Sequence, residues 1–185
     1  MRGDASTLSA TTPGGWDGLM SNPIADLILG FQDLVARMPE FLQPVIVALA
    51  GAVPFIEGEG AAGIGIIGGI HPVVAALSGA IGNFVCVAVV VLVAARVRTA
   101  VTTRGGTSEK PKTTRNEKFQ KAYHRYGTPG VSLLGPLLLP TQFTAAALTA
   151  TGVPPRTVLI WQAAAIVLWT TIITLFITGV LYVAT

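Results

Sequence analysis

Apolar residues gather into runs of unequal length, and the lengths set the first expectations. Val73 to Ala95 is a mostly apolar run behind His71-Pro72, closed by Arg96 and Arg98. Crossing the ~30 Å hydrocarbon core takes about 20 such residues, so 73–95 is predicted to be a transmembrane helix. The run 155–184 is longer still. Trp161 and Tyr182 lie near its ends, where aromatic side chains anchor at membrane interfaces. It is the second predicted transmembrane helix. Ser78, Gly79, Gly82 and Asn83 make one small or polar face on the first, which should turn toward protein and not lipid.

Two other apolar stretches are too short to cross. Phe41 to Ile56 is interrupted at Gln43 and Pro44 and runs into Glu57-Gly58-Glu59-Gly60. Ala61 to Ile70 then resumes, with glycine at 63, 65, 68 and 69. Pro129 to Val153 has the same form: "VSLLGPLLLP", a break at Pro140-Thr141-Gln142, then "FTAAALTATGV". Irregular backbone at membrane depth is tolerated only against protein or a water-filled cavity. For 41–70 two readings stay open. One is a long broken helix with its acids at mid-membrane, the other a re-entrant hairpin whose turn carries them. The glycines permit close packing and favour the hairpin. Pro54, Gly58, Gly60 and Pro140 are the expected hairpin breaks, with 129–153 the second re-entrant hairpin.

Two amphipathic segments flank these runs. Ile24, Leu27, Ile28, Phe31, Leu34 and Val35 fall at helical spacing. Asn22-Pro23 supplies a cap and a first-turn proline. A helix lying at the membrane surface and an ordinary helix packed on the protein both fit. Phe119, Ala122, Tyr123 and Tyr126 form a second stripe, with Glu117 four before Lys121, as in an interfacial helix. Residues 1–22 lack the apolar core of a signal peptide and read as a flexible polar tail. Residues 23–185 then form a single membrane domain.

The chain also echoes itself. Pro72 and Pro155 each open a full run and each follows a broken one. At that offset of 83, Gly69 meets Gly152, Glu57 meets Pro140 and Glu59 meets Gln142. Residue identity is thin, so the echo is one of architecture, as inverted repeats leave. The expected fold class is all-α integral membrane. It is an inverted repeat of re-entrant helical hairpin plus transmembrane helix, with interfacial amphipathic helices.

Charge gives the pattern a direction. Only 11% of residues are charged and 51% are hydrophobic, and mean hydropathy is +0.66. A soluble domain is about 25% charged. Nine of the 12 Lys and Arg lie between Arg96 and Arg125, opposed there by Glu109 and Glu117 alone. The positive-inside rule makes 96–127 a basic cytoplasmic loop and interfacial helix of a multi-pass cell-membrane protein. The span 73–95 then runs outside to inside. The first hairpin enters and leaves from the outside, the second from the inside. A basic loop in this setting does not call for a nucleic-acid partner. Cys86 is the lone cysteine, so no internal disulfide forms.

Three motifs carry a family likeness. "PFIEGEGAAGIG", "ALSGAIGNFVCV" and "YHRYGTPGVSLLGPLL" resemble the small multi-drug export proteins, relatives of the DedA/VTT-domain membrane proteins. The resemblance covers roughly residues 45–180. It implies two re-entrant hairpins facing each other across the membrane. It also implies proton-coupled transport through first-hairpin acids and arginines around the second hairpin. Bacterial relatives are linked to recycling of undecaprenyl phosphate, eukaryotic ones to phospholipid scrambling. Glu57 matches the first-hairpin acid best, Glu59 is the second, and Arg125 matches the basic position before the second hairpin. No arginine lies between Pro129 and Val153, a departure that argues against a phosphate clamp inside that hairpin.

The residues allow the same chemistry by themselves. A carboxylate at depth costs at least a few kcal/mol, and such groups mark ion or substrate paths. Glu57, with Glu59, is a candidate to bind and release protons as access changes. Half-helix N-termini offer free N–H groups, so Thr141 and Gln142 are expected to line a polar path opposite the glutamates. Asn83 and Arg125 complete the expected proton and substrate path. His71, His124 and Cys86 make no metal spacing, and no nucleophile-elbow, Walker or dinucleotide motif occurs. An enzyme and a cofactor are therefore not expected. The expected function is an integral membrane transporter or lipid translocase, coupled to protons. Its substrate would be amphiphilic or a lipid phosphate such as undecaprenyl phosphate. Export of cationic compounds is the alternative, as is a scaffold binding anionic membrane lipid through the basic loop. The glycine-rich faces allow a homodimer.

Overall fold

A computed structural model describes residues 22–103 and 127–184. They are all-α, with no sheet among the described residues. Helix α1 is Pro23–Arg37, α2 Gln43–Gly51, α3 Glu57–Ile67 and α4 Pro72–Thr103. Helix α5 covers 127–134 and tightens into a 3-10 turn at Gly135–Leu137. Helix α6 is Thr141–Thr151 and α7 Pro155–Ala184. The tail 1–21, the stripe at 116–126 and most of the basic loop lie outside the described residues.

Two of these helices are long and apolar enough to cross a membrane, α4 with 32 residues and α7 with 30. At 1.5 Å per residue they are about 48 and 45 Å long, against a hydrocarbon core of about 30 Å. Helices α2, α3 and α6, of 9, 11 and 11 residues, are too short to cross. Helix α4 is longer than the apolar run within it. It continues through Arg96 and Arg98 to Thr103, where 73–95 was expected. The apolar run records what suits lipid, whereas a helix ends where its hydrogen bonds stop. No glycine or proline intervenes before Gly105. Thr99 and Thr103 donate their hydroxyls to the carbonyls of Ala95 and Thr99, on their own helix.

Helix α1 begins as its sequence indicates. Asn22 Oδ1 accepts from the Ile24 N–H at 3.1 Å, with proline following the cap. It packs on α2 and α3 through Ile28, Phe31 and buried Val35, while Ile24, Leu27 and Leu29 stay exposed.

Helix α4 packs against α2, α3, α6 and α7. Its buried face is Ala75, Gly79, Gly82, Asn83, Val87 and Val91, which follows helical spacing. The small face at 79–83 is therefore buried, as expected, with Ser78 half-buried beside it. Two apolar cores result. One joins α1, α2 and α3 to Ala75 of α4; the other joins Val131 of α5, α6 and the first half of α7 to Val87 and Val91 of α4. Asn83 lies between these two zones of α4. On α7, Val158 and Ile166 belong to the second core and Ile177 packs on the first, with buried Thr170 between. Outside, α4 and α7 expose large apolar side chains, among them Leu77, Ile81, Val89, Val167, Leu175 and Phe176.

Close helix approach depends on glycine at two points. A Cβ on Gly82 would come within 1.7 Å of the Ala48 carbonyl oxygen, so α4 and α2 touch backbone to backbone. Gly152 ends α6 at a φ of 105°, which side chains rarely adopt, and the Arg98 guanidinium occupies the space a Cβ would take. Gly82→Ala should lower stability by about 1–3 kcal/mol, the usual cost of overpacking. Gly30→Ala meets open space in the middle of α1. It should raise stability by about 0.5–1 kcal/mol. Thermal unfolding of both variants in detergent checks the opposite signs.

Candidate functional site

The turn between α2 and α3 is built from local hydrogen bonds. Val53 N–H donates to Ala50, and Ile56 and Glu57 N–H both donate to the Val53 carbonyl. Within it Phe55 and Glu57 adopt φ of 73° and 55°, a left-handed backbone in residues that disfavour it. Such conformations cost about 1–3 kcal/mol each and persist only where the surroundings hold them. Pro54 lies in this turn. Gly58 and Gly60, expected at the break, instead lie inside α3, and both acids open its first turn. Glycine weakens a helix by about 1 kcal/mol but does not stop it. At Gly58 the missing Cβ admits the Thr170 hydroxyl and the backbone of Ala80.

The Glu57 side chain is buried and reaches across to the second hairpin. Its Oε1 accepts from the Thr141 backbone N–H and, at 2.8 Å, from the Thr141 hydroxyl. Thr141 is the first residue of α6, and the preceding Pro140 has no side chain able to cap that helix. Glu57 therefore caps α6 from another part of the chain. A carboxylate is favourable at this end, where free N–H groups and the helix dipole meet it. Helices α3 and α6 start 84 residues apart, one more than the spacing of Pro72 and Pro155, because the loop from α3 to α4 is one residue longer than that from α6 to α7.

Asn83 and Gln142 complete the cluster. Asn83 Oδ1 lies 3.1 Å from the Thr141 hydroxyl and accepts from Gln142 Nε2 at 3.3 Å. A hydroxyl has one proton, so Thr141 donates at any moment to one of Glu57, Asn83 and the more distant Gln142 Oε1 at 3.5 Å. Asn83 Nδ2 is buried without a partner among the described residues. The chain thus brings together four of its expected site residues: Glu57, Asn83, Thr141 and Gln142.

Beside the cluster opens a pocket of about 260 Å³. Glu57 and half-buried Glu59 form its acidic wall, and Pro136, Leu137, Leu138, Leu139 and Pro140 an apolar one. Phe55 and Phe143 meet edge to face at 6.3 Å, joining the hairpin tips. Among the described residues, Glu57 and Glu59 are the titratable groups of this pocket. Helices α2 and α6 carry none; α4 carries Cys86, Arg96 and Arg98, α7 carries Arg156 and Tyr182, and α1 carries Asp26, Asp33 and Arg37. Arg125 lies outside the described residues.

Several buried polar side chains were not singled out in the sequence: Ser132, Gln162, Thr170 and Thr174. A signal for three of them was present. Gln162, Thr170 and Thr174 recur in steps of four or eight within an apolar run, which puts them on one face of α7.

Glu57→Ala would strand the buried Thr141 amide and should cost about 1–3 kcal/mol. Glu57→Gln keeps an acceptor oxygen there and should cost less. Thermal melts of the two variants, with Glu59→Ala as a milder comparison, check the order.

The chain matches no protein-family model, no curated protein and no solved structure, so the chemistry of this site is read from its own residues.

Proposed function

We propose that this chain is a multi-pass cell-membrane transporter that couples movement of an amphiphilic substrate to protons, with Glu57 as the proton carrier. One observation carries the reading. A buried carboxylate joins the starts of two half-helices, each too short to cross a membrane. In this reading α2–α3 and α5–α6 are re-entrant hairpins of an inverted repeat, and α4 and α7 are the spans. Apolar exteriors on α4 and α7, with polar groups buried between them, support membrane embedding. Arg96 and Arg98 near the end of α4 support a cytoplasmic position for that end and the basic loop. The likeness to small multi-drug export and DedA/VTT-domain proteins points the same way.

The geometry offers a coupling step. An ionised Glu57 accepts both Thr141 donors and latches the hairpin tips together. Once protonated, its carboxyl carries a proton of its own and loses acceptor strength. The Thr141 hydroxyl is then free to turn to Asn83 Oδ1, 3.1 Å away. The α6 end of the latch loosens, and the pocket beside it gains access. Proton binding and hairpin separation become one event.

Pocket chemistry bears on the substrate. Two carboxyl groups face an apolar wall, and among the described residues no basic side chain lines the pocket. A cationic or neutral amphiphile suits those walls better than a lipid phosphate. A membrane scaffold has no need of a carboxylate buried at such cost.

Proteoliposomes with an imposed pH gradient test the reading, with a cationic dye and a labelled polyprenyl phosphate as probes. Wild type should move the dye faster than the polyprenyl phosphate, and Glu57→Gln should fall to the level of protein-free vesicles. Unchanged transport and unchanged pH dependence in Glu57→Gln would remove Glu57 as the carrier.

A further inference from the structure

Helix α7 contains an unusual set of hydroxyls. Thr170, Thr174 and Thr178 repeat every four residues and so share one face. Their Oγ1 atoms are buried, and none has a hydrogen-bond partner among the described residues. Threonine in a helix ordinarily satisfies its hydroxyl on its own backbone. In this chain Thr102, Thr144, Thr149 and Thr151 all do so, donating to carbonyls three or four residues back. The three α7 threonines make no such bond.

This side of α7 meets α3 at Thr170 and Ile177. The Thr170 hydroxyl sits where a Cβ on Gly58 would be, next to Glu57 in sequence. Farther along, the Ile177 methyl lies against Gly63. Rising residue numbers on both helices keep contact, so α3 and α7 run side by side in the same direction. The threonine face follows α3 from its glutamate end toward its C-terminus. From Thr170 to Thr178 is about 12 Å along the helix. The facing stretch of α3 is Gly58 to Ile67, which beyond Glu59 has only glycine, alanine and isoleucine. No side chain there can serve the three hydroxyls.

Buried hydroxyls without protein partners are rare, and ordered water is the usual partner where the site is polar. We infer that Thr170, Thr174 and Thr178 hold a file of water along the α3–α7 interface, and that protons reach Glu57 by this file. A hydroxyl both donates and accepts, so successive threonines and waters can pass a proton by exchanging hydrogen bonds. The route enters from the end of α3, opposite the pocket of Glu59 and the second hairpin. Glu57 then has a proton route on one side and a substrate pocket on the other. The inference rests on Glu57 being the proton carrier.

The experiment follows proton entry into proteoliposomes with an enclosed pH-sensitive dye after an acid jump. Four proteins are compared: wild type, Glu57→Gln, the double variant Thr170→Val with Thr174→Val, and Thr149→Val. Thr149 already satisfies its hydroxyl on Ala145 and should conduct like wild type. The double variant should conduct about tenfold less than wild type, with Thr170→Ser and Thr174→Ser restoring flux. Glu57→Gln should be silent. If Glu57→Gln conducts like wild type, the carrier reading falls and takes this route with it. If Glu57→Gln is silent but the double valine variant conducts normally, the route alone falls.

Two further readouts do not depend on flux. In a Cys86→Ala background, Thr174→Cys should react with a water-soluble thiol reagent while Ala165→Cys, fully buried, should not. Melting decides between wet and dry hydroxyls. Replacing a dry, unsatisfied hydroxyl with a methyl should raise the melting temperature, whereas removing a water ligand should not. A higher melting temperature for the double valine variant, with no labelling of Thr174→Cys, overturns the inference.

Discussion

The carboxylate of Glu57 against the first residue of α6 is the contact on which the architecture turns. Helix α6 starts after a proline and has no cap of its own. Eleven residues make a marginal helix in isolation. A tertiary contact supplies the cap that the local sequence lacks at its N-terminus, and a second one adds to the local Gly152 cap at its C-terminus. Glu57 from α3 meets its N-terminus, and the Arg98 guanidinium from α4 lies over Gly152 at its C-terminus. Each charge has the sign the helix dipole favours. Two elements distant in sequence, α3 and α4, are thereby joined to one short helix.

The rest of the interior is arranged around that contact. Two apolar cores serve the two halves, and a layer of polar side chains divides them. Asn83 on α4 and Thr170 on α7 lie between the two cores, on helices that both cores share. Burying such groups is costly unless they are hydrogen-bonded. Glu57, Thr141, Asn83 and Gln142 answer much of that cost among themselves, leaving Asn83 Nδ2 over, while Gln162 and the α7 threonines find no partner among the described residues. The backbone shares the burden, since Phe55 and Glu57 hold left-handed conformations to aim the carboxylate. Polar groups kept inside, with strain beside them, mark a place where stability was given up for something other than packing.

Much of the fold could be read from run lengths and breaks. Pro155 starts α7 and Pro140 precedes α6, because a ring without an N–H suits the start of a helix and not its middle. The end of α4 was less legible. Hydropathy falls at Arg96, but a helix needs only continuing hydrogen bonds, which run on to Thr103. Gly58 and Gly60 resembled a break because glycine in isolation weakens helices, yet α3 is held by its neighbours. The α7 threonines passed unremarked because each one alone is unexceptional in an apolar run. Their four-residue spacing mattered only once the neighbouring helix was known to have no partner for them.

The sequence by itself determined two helices long enough to span, two broken stretches too short to do so, and two acids at one of the breaks. These follow from local composition, since run length, proline position and charge are properties of neighbouring residues. Only the tertiary structure decided which acid is engaged and with what. Glu57 and Glu59 are two residues apart and chemically alike, so nothing local separates them. The distinction arises when α6 arrives from 84 residues away and presents its free N–H groups to one carboxylate, leaving the other in the pocket.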